Sequence, residues 1–309
     1  MALSRPKPSL ILLTARRKRF TFGWYGTSMV YTTLIDTETL ALHLSDPAYV
    51  VVDCRYNVQD QGWGASEYKK GHIPGAAFAH VDDDLSAPKT GRNGRHPLPD
   101  PERLVVTLGQ LGVAEGMQVV VYDQDFGMYA SRLWWLLRWL GHDAVALLSG
   151  GYARWLAEGR PVRSGVELHA THQFRGVPRA GLFVTAEDVN QALVSGEALL
   201  LDARTPERFR GEIEPVDKVA GRIPGAVNYP YQRNVDETGR LRSPEDIRAE
   251  VRQSVGDTPH ERVICYCGSG VTACLNLLAF EHAGLRGARL YPGSWSEWLS
   301  DSSRPIERG

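Results

Sequence analysis

Short runs of β-branched and leucine residues alternate along this chain with stretches whose apolar positions recur at helical spacing. Val50-Val-Val-Asp53, Val119-Val-Val-Tyr122, Leu199-Leu-Leu-Asp202 and Val263-Ile-Cys-Tyr266 read as strands. Unbroken apolar runs of this length suit strands covered on both faces. Leu40 to Leu44, Arg132 to Leu140, Val189 to Leu193 and Ala273 to Ala283 carry the helical period, the last stopped by Gly284. Strand and helix in alternation predict an α/β fold, each sheet mostly parallel and flanked by helices.

The pattern occurs twice. Val50-Val-Val-Asp-Cys-Arg55 recurs as Leu199-Leu-Leu-Asp-Ala-Arg204, and Gly71-His-Ile-Pro-Gly-Ala76 as Gly221-Arg-Ile-Pro-Gly-Ala226. Val119-Val-Val-Tyr-Asp123 recurs as Val263-Ile-Cys-Tyr-Cys267, and Gly150-Gly-Tyr-Ala-Arg-Trp155 is echoed by Gly293-Ser-Trp-Ser-Glu-Trp298. Spacings of 143–150 residues are too long for a solenoid and imply two tandem domains of one fold. The expected domains are 33–160 and 181–301, joined by a linker over 161–180 and followed by a tail over 302–309. The Gly-Xaa-Ile-Pro-Gly-Ala element is a turn, in which proline fixes φ and glycine supplies positive φ. Asp53 and His72 read as structural residues of strand end and turn, and Arg222, in place of the repeated histidine, as a surface variation.

Composition narrows the class. The 309 residues carry a formal net charge of −1, which makes no case for nucleic acid as a partner. No apolar run approaches the roughly 18 residues that span a bilayer, so no membrane association is expected. Four cysteines in so long a chain are no disulfide framework; a reducing compartment, the cytoplasm, is expected. Residues 1–35 hold six Lys or Arg and no acid, leaving the rest at −7. The basic extension 1–32 is expected to be disordered, and its leader Met1–Ser28 lacks the long apolar centre of a secretory signal. A disordered tail, a targeting presequence and an upstream extension before a natural start at Met29 compete for it; a dispensable extension is favoured.

The chemistry concentrates in Cys267-Gly-Ser-Gly-Val-Thr272, where a strand runs into a cysteine, then glycines, then a helix. Gly268 and Gly270 let backbone N–H groups turn inward, and the new helix points its unsatisfied donors the same way. Such a cup stabilises a thiolate, or a persulfide, relative to its protonated form. Val271 lies on the same turn, and Ser269 and Thr272 can add hydroxyl donors. The bland alternative is a small, inert strand-end cysteine, which the glycine-rich context disfavours. Cys54, Cys265 and Cys274 lack that context and read as structural. Cys265, Cys267 and Cys274 make a poor metal set, with two on one extended strand and no histidine nearby. Neither metal nor cofactor is expected.

The loop Cys267-Gly-Ser-Gly-Val-Thr-Ala273 resembles the active-site loop of 3-mercaptopyruvate sulfurtransferases, in the rhodanese superfamily. Tyr68-x-x-Gly-His-Ile-Pro-Gly-Ala76 and Tyr291-Pro-Gly-Ser-Trp-Ser-Glu-Trp298 are similar to that superfamily's two signatures, and the likeness runs from about residue 33 to 301. It implies two tandem rhodanese-like domains, the first inactive because Asp123 stands where the second has Cys267, with the active site at their interface. It further implies that Arg208 binds the donor's anionic group, and that Asp82 and His96 partner Ser269 in a relay. These enzymes often have a second arginine downstream of the Arg208 position; here the nearest cation along that segment is Lys218.

The implied reaction is double displacement: Cys267 takes sulfane sulfur from a small anionic donor and passes it to a thiol, a thioredoxin-like protein or cyanide. Thiosulfate-type relatives carry cations just after the cysteine; neutral Gly268 and Ser269 favour 3-mercaptopyruvate, with thiosulfate second. A cysteine-dependent phosphatase needs a longer loop ending in an oxyanion-stabilising arginine, and no arginine lies between Cys267 and Gly284. A non-catalytic sulfur carrier is the third reading, disfavoured by the intact loop and Arg208.

Overall fold

The computed structural model describes residues 30–309, so the basic extension up to residue 29 lies outside the described residues. The first half contains strands β1 (Leu34–Ile35), β2 (Tyr49–Asp53), β3 (Ala76–Phe78), β4 (Gln118–Tyr122) and β5 (Val145–Leu148). Its helices are α1 (Thr37–Leu42), α2 (Trp63–Lys70), α3 (Pro101–Gln110), α4 (Ala130–Trp139) and α5 (Gly151–Ala157). The second half runs α6 (Ala186–Ser195), β6 (Leu199–Asp202), α7 (Pro206–Arg210), β7 (Val227–Asn228), α8 (Pro244–Val255), β8 (Val263–Tyr266), α9 (Ala273–His282), β9 (Arg289–Leu290) and α10 (Ser294–Trp298).

Both sheets are parallel. The first has the order β1-β5-β4-β2-β3 and the second β7-β6-β8-β9. A bridge from Phe183 to Leu290 extends β9 as β1 extends β5, so the two topologies coincide. The central strands β4 and β8 are buried at every residue, because helices cover both sheet faces. Gly75 and Gly225 take φ of +76° and +71° in the two Ile-Pro-Gly turns, as L side chains rarely do.

Asp53 and Asp202 end equivalent strands, and each carboxylate clamps an arginine two residues on. Arg55 lies 2.6 Å from Asp53 and donates to the Gly71 carbonyl at 2.7 Å; Arg204 lies 2.7 Å from Asp202 and donates to the Gly221 carbonyl at 2.7 Å. These buried pairs tie the opening strand of each domain to its turn. His72 is fully buried, its Nδ1 2.7 Å from the Tyr68 carbonyl.

The repeat reaches further than its four obvious motifs. Trp155 Nε1 donates to the Pro161 carbonyl and Trp298 Nε1 to that of Pro305, both at 2.8 Å. Arg160 and Arg304 each lie 5.5 Å over the tryptophan concerned. His72 pairs antiparallel with Arg163, and Arg222 pairs the same way with Glu307. Arg222 is therefore no surface variation. It is only 8% exposed, stacks 4.5 Å over Phe209, ion-pairs with Glu307 and donates to the Gly309 carbonyl at 2.6 Å. A side chain longer than histidine reaches the chain end, which a one-dimensional pattern does not place beside the turn.

The two halves share one core. In α4, Leu133 to Leu137 are all buried, and in α9 Ala273 to Phe280 are all buried. Helices apolar all round must be covered all round, and these two pack on their own sheets and against each other. Removing Arg222 tests whether the chain end matters to the fold. Arg222→Ala should lower unfolding free energy by about 1–3 kcal/mol, because it removes the stacking on Phe209 and the charged hydrogen bonds to Glu307 and Gly309. A denaturant melt would read this, and unchanged stability would mean that the C-terminal pairing carries no weight.

Candidate active site

β8 delivers Cys267 to the sheet's carboxyl edge, and α9 begins six residues later. The Gly270 N–H points at Cys267 Sγ at 3.2 Å. Gly270 has φ +75°, and a Cβ there would fall 2.1 Å from the Pro292 carbonyl oxygen, so only glycine allows this close approach. The segment after β9 clasps the loop from behind. Cys267 N–H donates to Ser294 Oγ at 3.1 Å, while Trp295 N–H donates to the Cys267 carbonyl and Ser296 N–H to that of Gly268. Ser294 holds φ of 54°, the one positive value outside glycine among the described residues. Backbone strain of this kind persists only where surrounding bonds over-determine it.

Cys267 is buried, and Ser269, Val271 and Thr272 beside it line a pocket of about 210 Å³ between the two halves. The first half contributes Tyr56, Val58, Arg95, His96, Met128 and Tyr129; the second adds Ala203, Arg204, Thr205, Arg208, Val216 and Tyr231. Val271 packs with Tyr56 and Val81, closing the seam.

Three residues distant in sequence meet here. His96 Nδ1 lies 2.8 Å from Ser269 Oγ, and its Nε2 lies 3.4 Å from Asp82 Oδ1. Asp82 also accepts from Tyr56 O–H at 2.5 Å and pairs with Lys89 at 2.6 Å. These donors hold the Asp82 carboxyl below the ordinary range against its partial burial. The Asp82 carboxylate faces Nε2 without a hydrogen bond to it, while Nδ1 faces the Ser269 hydroxyl. Burial drives His96 far below the ordinary histidine range, opposed by Asp82 and reinforced by Arg95, Arg132 and Lys89. The imidazole is neutral. The Ser269 hydroxyl therefore bonds to His96, whereas the loop alone suggested that it joins the cup around sulfur.

Arg208, in the middle of α7, reaches the pocket and donates to Glu214 at 2.7 and 3.2 Å and to Asp217 at 3.2 Å. Arg204 is buried in its pair with Asp202, and Arg210 is exposed beside Glu212. Of these three arginines, only Arg208 has the placement of a ligand. Gly268 lies beneath two guanidinium groups: a Cβ there would sit 2.8 Å from Arg95 Nη2 and 3.3 Å from Arg208 Nη2.

Sequence reasoning missed Arg95 and Arg132. Arg95 adjoins His96, yet its stretch has no periodicity to indicate a direction. Arg132 reads as a helix position, but it is fully buried and crosses between the halves, donating to the Gly270 carbonyl at 3.1 Å and the His96 carbonyl at 3.3 Å. The other cysteines are chemically quiet. Burial pushes the thiols of Cys54 and Cys265 well up, and that of Cys274 up to about 12, so they stay protonated.

In the first half, Asp123 occupies the position of Cys267 and fills the equivalent cup. Its carboxylate accepts from the N–H groups of Asp125, Gly127, Tyr129 and Ala130 at 2.8–3.2 Å. Burial still raises it to about 6, against the pull of those amides.

Two outcomes follow from this geometry. Gly270→Ala should cost roughly 3 kcal/mol or more through strain and collision with Pro292, seen as a lower thermal midpoint; an unchanged midpoint would contradict the close approach. A neutral, buried His96 makes the unfolded chain the better proton binder below its ordinary pKa of about 6.5. Stability from this group is present above that pH and declines as pH falls through it, by up to about 1.4 kcal/mol per unit. His96→Gln should flatten the decline between about pH 6.5 and 5 in denaturant melts; an unaltered slope would mean that His96 charges freely.

The family model for the rhodanese-like domain matches residues 36–158 and again 185–301. A probable 3-mercaptopyruvate sulfurtransferase of Pseudomonas aeruginosa is 45% identical over 278 residues, spanning 89% of this chain and 98% of that one. A thiosulfate sulfurtransferase of Rattus norvegicus is 33% identical over 282 residues, spanning 88% and 93%. The solved structure of 3-mercaptopyruvate sulfurtransferase from Leishmania major superposes with a TM-score of 0.77 at 31% identity, covering 89% of this chain and 76% of that one. With one match in each half, and Asp123 and Cys267 in the two equivalent cups, the chain belongs to the rhodanese-like sulfurtransferases of tandem-domain form.

Proposed function

We propose that this protein transfers sulfane sulfur from 3-mercaptopyruvate to a thiol or cyanide through a persulfide on Cys267. The observation that carries the reading is the Ser269–His96–Asp82 chain beside that cysteine, with His96 Nδ1 2.8 Å from Ser269 Oγ. The Cys267 thiolate attacks the donor sulfur. A Cys267 S–S bond forms, the C3–S bond breaks, and its electron pair passes into the enolate of pyruvate. The proton lost from the donor's thiol passes through the Ser269 hydroxyl, held by His96, to C3 of that enolate, which leaves as pyruvate. An acceptor thiolate then attacks the outer sulfur, leaves with it, and restores the Cys267 thiolate. No cofactor enters these steps.

The proton relay favours this donor over thiosulfate, whose leaving group, sulfite, needs no protonation at carbon. Thiosulfate remains the second reading, since the guanidinium groups over Gly268 suit any small anion. Four unpaired, buried cysteines suit a reducing cytoplasm, the compartment we assign. No helix among the described residues is long and apolar enough to cross a membrane.

Pyruvate release from 3-mercaptopyruvate and sulfite release from thiosulfate should both vanish in Cys267→Ser; turnover that survives would sink the persulfide. Ser269→Ala should lower kcat with 3-mercaptopyruvate by about 10²-fold or more and affect thiosulfate far less. Equal losses with both donors would remove the relay from the mechanism.

A further inference from the structure

The carboxylate at the far end of the relay is held from two sides. Asp82 Oδ2 accepts from Tyr56 O–H at 2.5 Å, while Oδ1 lies 2.6 Å from Lys89 Nζ and 3.4 Å from His96 Nε2. Lys89 and the histidine therefore face the same oxygen, and the lysine is the nearer. The Asp82 side chain is only 10% exposed, whereas that of Lys89 is 44% exposed and keeps its ammonium in contact with water. The turn that carries the lysine is closed by Asn93, whose Oδ1 accepts from Thr90 N–H at 2.8 Å and whose Nδ2 donates to the Pro88 carbonyl at 3.0 Å. Ser300 of the second domain pins it, donating to the Arg92 carbonyl at 3.0 Å. The fold thus places Lys89 at Asp82.

We propose that Lys89 is a positioning residue of the relay: by occupying Asp82 Oδ1 it keeps that carboxylate from bonding to His96 Nε2, and so keeps the imidazole uncharged. The proposal rests on the sulfurtransferase reading above. Among the described residues, the charged groups around His96 are Asp82, Lys89, Arg95 and Arg132, three cations against one carboxylate. Tyr56 stands perpendicular to the imidazole with ring centroids 6.0 Å apart, and Ser269 Oγ lies 2.8 Å from Nδ1. Arg132 donates to backbone carbonyls and Arg95 pairs with Asp217. Of the three cations, only Lys89 pairs with the carboxylate that would otherwise stabilise an imidazolium. An uncharged ring matters to the transfer. An imidazolium donates from both nitrogens, so it would draw on Ser269 Oγ and weaken that oxygen as an acceptor for the proton leaving the donor's thiol.

Two substitutions separate charge from packing. Lys89→Met removes the ammonium and frees Asp82 to turn to Nε2, whereas Lys89→Arg keeps the charge. Histidine NMR titration, with the signal assigned by its loss in His96→Gln, reads the ring without substrate. In the wild type and in Lys89→Arg the His96 ring should stay uncharged down to about pH 5, well below the ordinary midpoint of about 6.5. In Lys89→Met its midpoint should rise by about 2 pH units, into the measured range, as a carboxylate within bonding reach brings about. A ring that stays uncharged over that range in folded Lys89→Met, with its thermal midpoint retained, overturns the proposal. So does a Lys89→Arg protein that charges as Lys89→Met does. Turnover gives a second readout: kcat of Lys89→Met with 3-mercaptopyruvate should fall below wild type by a factor that grows with acidity, to about tenfold near pH 5.5, while Lys89→Arg follows wild type. A loss of equal size at every pH would mark a structural role and sink the idea. Absence of turnover with either donor in the wild type would sink the function proposed above, whereas the titration tests the lysine by itself.

Discussion

The packing of α4 against α9 is the constraint on which the rest of the molecule depends. Each helix grows from the loop that follows the central strand of its own sheet, so pressing the helices together brings the two loops and their surroundings face to face. Buried Trp, Leu and Phe side chains drive the contact, each worth about 1.5–3 kcal/mol when fully covered. Arg132 then fixes its register. A fully buried guanidinium with no carboxylate partner is costly unless its donors find acceptors, and here these are carbonyls of Gly270 on one side and of His96 and Pro97 on the other. The residue thus ties the cysteine loop to the strand of chain that carries the relay histidine.

The two cups show how one backbone arrangement serves two ends. Around Asp123 the inward N–H groups hold a carboxylate. Around Cys267 the equivalent place holds a sulfur atom. The first domain is not idle. It brings His96, Asp82, Tyr56 and Arg95 to the seam beside the cysteine loop.

The charge around the site does not come from the loop itself. Gly268 and Ser269 are neutral. Folding brings Arg95 and Arg208 over Gly268, so the cations absent from the loop arrive from α7 and from the other domain. Glycine at 268 is then understood as space for those groups.

The sequence by itself determined the parallel α/β fold and the duplication, and it pointed to Cys267 as the candidate nucleophile. Each is a local pattern: apolar runs, a repeated motif, and a strand, cysteine, glycine and helix in succession. Arg208 and the Ser269–His96–Asp82 set were legible only through family resemblance, since 173 residues separate His96 from Ser269. Tertiary structure alone decided the partners of Arg95, Arg132, Asp217 and Arg222. A charged side chain has no period and no preferred face, so its partner is set by which segments the core brings together. That core joins two domains, and a pattern read within either one does not contain it.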